Sequence, residues 1–167
     1  MLNAHPETFY ENQHEPMSQG TRSHQLAMYV VYESPLQMIS DSPTKYDENL
    51  QSFEFIKQIP TVWDETIPLK GEVGEYIAIA RRYQKTWYIG VLNGVTPRTI
   101  EIDLSFIGKS RKTIKAHYDG MNAELQAKDV QIKQYTISDS EKLSIRMSRG
   151  GGYILSLIHI SEPTRPY

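Results

Sequence analysis

The hydrophobic period of this chain changes once, near residue 60, and that change limits what the chain can fold into. Before it, Leu50, Phe53, Ile56 and Ile59 fall at helical spacing. After it, Tyr76, Ala78 and Ala80 alternate with Ile77 and Ile79, and Ile100, Ile102 and Leu104 alternate with Thr99, Glu101 and Asp103. A period of two belongs to a pleated strand, whose successive side chains point to opposite faces. Further strands are expected over Trp87 to Leu92, Thr113 to Tyr118, Asp129 to Thr136, Leu143 to Met147 and Gly152 to Ile154. Asn93-Gly94 and Asp119-Gly120 are read as turns that tolerate positive φ, with Gly71 and Gly74 punctuating the segment before them. Short strands at this spacing predict an antiparallel β-sandwich.

The part before residue 60 reads differently. Residues 1–20 are polar and aperiodic, a loop carrying His5 and His14. Thr21 or Ser18 can cap a helix running to about Glu33, and its Leu26-Ala-Met-Tyr-Val-Val-Tyr32 segment is apolar on nearly every side, so it must be covered. Ser34-Pro35 predicts a short helix over Leu36 to Ile39, which Asp41-Ser-Pro-Thr44 then breaks. A third helix ends before Pro60, because the residue ahead of a proline disfavours the α region. Three such helices need a larger partner, whereas the β part can stand alone.

Composition excludes several classes of function. Lys plus Arg is 18 against 20 for Asp plus Glu, a formal charge of -2, so the chain carries no electrostatic footprint for nucleic acid or an anionic membrane. It has no cysteine, which removes thiolate nucleophiles and zinc-thiolate sites. No apolar run reaches the roughly 18 residues of a membrane span.

Candidate chemistry is sparse. Glu15, Glu33, Glu48 and Glu54 show no acid-and-nucleophile spacing and read as solvated surface. His5, His14 and His24 lack the short helical spacing of a metal site; His24, beside Arg22, reads as a capping or hydrogen-bonding residue. Trp63-Asp64-Glu65 suits sugar stacking but is read as an anchor between the two parts. Trp87 and Tyr88 are adjacent on a strand, point to opposite faces, and cannot form one flat platform. Gly150-Gly-Gly152 lacks the helix and Lys-Ser/Thr of a phosphate cradle and reads as a bend into the last strand.

The string Glu15-Pro-Met-Ser-Gln-Gly-Thr-Arg-Ser-His-Gln-Leu-Ala-Met-Tyr-Val-Val-Tyr-Glu-Ser-Pro-Leu-Gln-Met38 resembles glycoside hydrolase family 97. So do Asp41-Ser-Pro43, Phe55-Ile56, Ile59-Pro-Thr-Val-Trp-Asp-Glu-Thr66, Gly74-Glu-Tyr76, Ala80-Arg-Arg82, Trp87-Tyr88, Tyr118-Asp-Gly120, Asn122-Ala123 and Gly150-Gly-Gly-Tyr153. The resemblance implies an N-terminal β-sandwich, a catalytic (β/α)₈ barrel and a C-terminal β-sandwich. On that map residues 1–58 are the last helices of a truncated barrel and residues 59–154 the C-terminal sandwich, a mainly β chain. It also implies hydrolysis of α-linked glucosides or galactosides, an oligosaccharide substrate, a calcium ion held by glutamates, and a periplasmic or otherwise exported setting. The family's catalytic and calcium-binding glutamates lie upstream of the Pro16-to-Leu26 motif. No catalytic, cofactor-binding or metal-binding residue therefore carries over to a position of this chain, which by itself is expected to be inactive and to bind no calcium. The competing reading is a non-catalytic carbohydrate-binding or structural β-sandwich module, which an exposed aromatic patch would favour.

Residues 155–167, Leu155-Ser-Leu-Ile-His-Ile-Ser-Glu-Pro-Thr-Arg-Pro-Tyr167, resemble the translation of a transposase adapter used in sequencing libraries and are expected to be an artefact. Leu155, Leu157, Ile158 and Ile160 are nevertheless apolar enough to extend the final strand.

Overall fold

The computed structural model describes residues 2–14, 17–34, 42–108, 112–137 and 142–159. After residue 60 the described residues form eight strands: β3 (Glu65–Glu72), β4 (Tyr76–Tyr83), β5 (Thr86–Asn93), β6 (Arg98–Asp103), β7 (Lys112–Asp119), β8 (Val130–Ile137), β9 (Lys142–Met147) and β10 (Gly152–His159). Six of them make one antiparallel sheet in the order β3-β4-β5-β10-β7-β8, and β6 pairs with β9 in a second sheet. The smaller sheet lies on one face of the larger, and between them Ile89, Val91, Ile114, Ala116, Ile145, Leu155 and Leu157 are almost wholly buried. This is the expected antiparallel sandwich, with layers of unequal width.

Alternation explains both faces of the large sheet. On β5, Trp87, Ile89 and Val91 enter the core between the sheets, while Tyr88 and Leu92 lie on the opposite face. The helices cover that opposite face. Helix α1 (Arg22–Val31), capped by Thr21 through a hydrogen bond from the His24 amide, lays Leu26, Ala27, Val30 and Val31 over β5 and β10. Helices α2 (Pro43–Asp47) and α3 (Leu50–Ile56) come next along the chain, and α3 adds Phe55 to the same layer.

Close approach of α1 depends on glycine. A Cβ at Gly90 would lie 2.9 Å from Val31 and 3.0 Å from the Ala27 carbonyl, and one at Gly152 would lie 2.5 Å from the His24 Cα. Arg81 on β4 closes the other end, donating through its two terminal nitrogens to the Val31 and Tyr32 carbonyls, each at 3.3 Å. A guanidinium there satisfies carbonyls that a helix end leaves open and opposes the helix dipole.

Several expectations need correction. The cover over Leu26–Tyr32 is the β-sheet of this chain itself, so a surrounding barrel is not needed to bury that segment's apolar side. Within the stretch expected to break a helix, Ser42 and Pro43 open a further one, with the proline at the first position of α2. The expected helix over Leu36 to Ile39 lies outside the described residues. Residues 2–4 and 17–19, read as loop, pair as two parallel strands, β1 (Leu2–Ala4) and β2 (Met17–Gln19). Among the described residues, positive φ occurs at Gly20, Gly74, Gly108, Gly150 and Gln84, not at Asn93-Gly94 or Asp119-Gly120. Gly94 and Gly120 are instead sites of contact: a Cβ would lie 2.7 Å from the Glu75 carbonyl and 2.2 Å from the Asp129 carboxylate, respectively. The last strand also does not stop at Ile154. It runs to His159, with Leu155 and Leu157 facing the core and Ser156 the helical side. It occupies the middle of the sheet between β5 and β7, not an edge.

Candidate functional site

Three polar features stand out from the scaffold. The first is a buried junction around Asp119, at the end of β7. Its carboxylate accepts from the Thr21 hydroxyl at 2.7 Å and from the Ser148 and Gly152 amides at 2.9 and 3.2 Å. Burial lifts this carboxyl above the ordinary aspartate value, and the hydrogen bonds work against that shift. Gly151 makes the room, since a Cβ there would lie 2.0 Å from the Asp119 carboxylate, and Gly150 makes the bend with φ of +58°. The glycine run is thus a bend and two close approaches. His24 accompanies the junction through a ring-nitrogen contact of 2.9 Å with the Gly151 carbonyl.

The second feature is His117, two residues earlier on the same face of β7. It is fully buried, neither ring nitrogen has a hydrogen-bond partner, and its ring packs 4.2 Å from that of Phe55. Burial first, and the charge of Lys115 second, push its pKa down to about 4.

The third is a cleft of about 620 Å³ where the two-stranded sheet leaves β7 and β8 uncovered. Tyr118 and Tyr153 stack in it with ring centroids 5.6 Å apart. Burial, then Tyr135, raises the Tyr153 pKa, so this phenol stays protonated. Asp129, at the rim, accepts from the Asn122 amide at 2.9 Å. The sequence does not reveal this cleft, because its three tyrosines lie on three strands: Tyr153 opposes Tyr118, while Tyr135 on β8 opposes Ile114, farther along β7.

The residues singled out from sequence occupy structural positions. Trp87 is buried edge-on against Phe106, and Tyr88 is buried on the other face, its hydroxyl donating to the Gln58 carbonyl at 2.9 Å. Trp63 meets Tyr88 edge-on beneath the Arg81 guanidinium, so it joins the helical layer to the sheet. Asp64 accepts from the Gln84 amide, and Glu65 pairs with Arg82 at 3.0 Å. Glu33 is exposed, and Glu48 and Glu54 pair with Lys45 and Lys57 on the surface. Glu15 lies outside the described residues. His14 is exposed, whereas His5, read as unremarkable, is buried with its ring hydrogen-bonded to the Ala123 carbonyl. Among the described residues no three His, Cys, Asp or Glu side chains converge to hold a metal ion, and no helix is long and apolar enough to cross a membrane.

Comparison with known proteins agrees with this architecture. A family model described as "Glycosyl-hydrolase 97 C-terminal, oligomerisation" matches residues 62–158. A retaining alpha-galactosidase of Bacteroides thetaiotaomicron is 43% identical over 157 residues, covering 94% of this chain and 24% of that protein. A probable retaining alpha-galactosidase of Streptomyces bingchenggensis is 27% identical over 135 residues, covering 81% of this chain and 20% of that protein. Among solved structures, a family 97 enzyme from Pseudoalteromonas sp. strain K8, in complex with acarbose, superposes with a TM-score of 0.81 at 33% identity, over 85% of this chain and 23% of that one. The chain belongs to glycoside hydrolase family 97 and corresponds to the C-terminal part of its enzymes. It spans about a quarter of the length of the relatives it matches.

Proposed function

We propose that this chain is the C-terminal portion of a retaining α-galactosidase acting on α-linked galactosides in oligosaccharides. One observation carries the reading: the 43% identity to the Bacteroides thetaiotaomicron enzyme extends over 94% of the chain, across both the helical and the β parts. Retention calls for two carboxyl groups roughly 5 Å apart, one forming a glycosyl-enzyme intermediate and the other serving as acid and then base. No pair of acids singled out in this chain has that arrangement, so the reading places the chemistry in a preceding catalytic domain. Calcium, implied by the family, needs a cage of oxygen ligands. The described residues do not fit one, and we assign the ion to that same preceding part. Export to the periplasm belongs to the same proposal.

Within the enzyme, residues 61–159 act as a rigid support that seats α1 on its sheet. The family description names oligomerisation, which makes this part a candidate contact between copies as well.

The test is expression of the complete reading frame from its genomic locus, assayed on aryl α-galactosides and aryl α-glucosides, with the anomer of the first product followed by proton NMR. Calcium-dependent release of α-galactose, with no turnover by the present chain alone, is the expected result. Preference for the glucoside, or β-configured product, would overturn the substrate or the stereochemical assignment. Glycosidase turnover by the present chain alone would overturn the placing of the chemistry elsewhere.

A further inference from the structure

The cleft beside β7 and β8 is unlike the rest of the surface, and its chemistry specifies a ligand. We propose that it binds a neutral saccharide. Its size falls within the usual range for small-ligand pockets, roughly 300 to 1,000 Å³.

Pyranose rings present apolar C–H faces and equatorial hydroxyls, so their sites combine aromatic faces with planar hydrogen-bonding groups. This cleft has both. Tyr118 and Tyr135 are half-buried and present ring surface to it, while Tyr153 is 6% exposed and stacks behind Tyr118. Tyr153 is itself buried and stacked on Tyr118, so this part of the aromatic wall is positioned before any ligand arrives.

The polar rim is arranged in the same way. Gly120 lets the Asp129 carboxylate lie against the backbone, where the Asn122 amide holds it. Gln131 and Arg146 line the cleft with exposed side chains, and both can reach hydroxyl groups. The charge balance argues for an uncharged ligand. The Lys133 ammonium is engaged over the Tyr135 ring at 5.7 Å, and Asp119 is taken up by the buried junction. Among the described residues of the wall, Lys133 and Arg146 stand against Asp119 and Asp129, two side chains of each sign, a poor match for a phosphate or a polyanion.

Isothermal titration of the whole chain with stachyose, maltotetraose, cellotetraose and xylotetraose, alongside tetragalacturonate, tests the proposal. At least one neutral sugar should bind, with a Kd on the order of millimolar. Tyr135→Ala should weaken that binding tenfold or more, and Arg146→Ala, at an exposed position of β9, by severalfold. Tyr135→Phe, which keeps the ring, should retain most of it. Circular dichroism establishes that each variant is folded; if Tyr135→Ala is not, Arg146→Ala and Gln131→Ala carry the decision. No binding of any neutral sugar, binding of the polyanion alone, or binding indifferent to all three cleft variants would overturn the assignment. So would self-association of the chain that the same substitutions abolish, which would make the cleft a contact between two copies.

Discussion

The two faces of the six-stranded sheet are covered in different ways. The inner face is closed by β6 and β9, whose own ladder fixes them, and the core there sets Trp87 and Tyr153 among aliphatic side chains such as Ile89, Val91, Ile114, Ile145, Leu155 and Leu157. The outer face is closed by α1 and α3, which touch the sheet through the glycine contacts at Gly90 and Gly152 and through Arg81. Here polar groups are buried with no partner, including the Ser52 hydroxyl, the Gln25 side-chain oxygen and both nitrogens of His117. Each such group costs roughly 1 to 3 kcal/mol relative to a satisfied one. The outer layer, which carries these groups, is therefore the one expected to loosen first.

Removing the outer cover is the severest way to test that contrast. A chain beginning at Thr61 keeps every strand of the sandwich but bares Tyr88, Leu92 and Ile154, which α1 buries. The hydrophobic period alone predicts that it folds unaided; the packing predicts that it self-associates, because a contiguous apolar face has been uncovered. Light scattering on the two chains decides it, and equal monodispersity would show that the helical layer is dispensable.

A finer comparison uses neighbours on β10, both with no exposed surface, that point to opposite faces. Leu155→Ala opens a hole in the strand-locked core and should cost about 4 kcal/mol, near the upper part of the range for such truncations. Ile154→Ala opens one under α1, which can settle into it, and should cost about 2 kcal/mol. Equal losses in urea denaturation would mean that both layers are equally rigid.

The smallest effect is a pH dependence confined to the outer layer. His117 titrates near 4 when folded and near 6.5 when unfolded, so the unfolded chain binds the proton first as pH falls. The contribution of its neutral form is intact above pH 6.5 and lost between 6.5 and 4, amounting to roughly 2 kcal/mol at pH 5 and roughly 3 at pH 4. Lys115 and Asp119 flank it on the same face, and Phe55 lies over it from α3. His117→Leu should flatten the stability profile over this window. Parallel profiles for His117→Leu and the wild type would refute the assignment.

Sequence makes the sandwich legible wherever one face is buried and the other wet, as in β6 and β9. It does not reveal β3, because Pro68, Lys70 and Gly71 sit in an edge strand whose register shifts between Pro68 and Lys70. Nor does it reveal β1 and β2, three-residue strands too short for any alternation to register. For α1, the need for a cover is legible, but not its source; the trace of it is Gly90, one small residue within the apolar run of β5. The glycines of Asp119-Gly120 and Asn93-Gly94 mark real turns for a different reason from the one their sequence suggests, since contact distances, not dihedral freedom, require glycine there. The tyrosine cleft is invisible for a simpler reason: no short window along the chain contains residues 118, 135 and 153 together.

The central position of β10 has a further consequence, in the order of synthesis. The ribosome delivers β3, β4 and β5 as one antiparallel block and β7 and β8 as another, but the strand that joins them comes after both. Until Gly152–His159 emerges, β5 and β7 each present an unpaired edge, and α1 has only half of its seat. Nascent chains are most exposed to wrong pairing at such open edges. A single late strand thus decides whether two half-sheets become one.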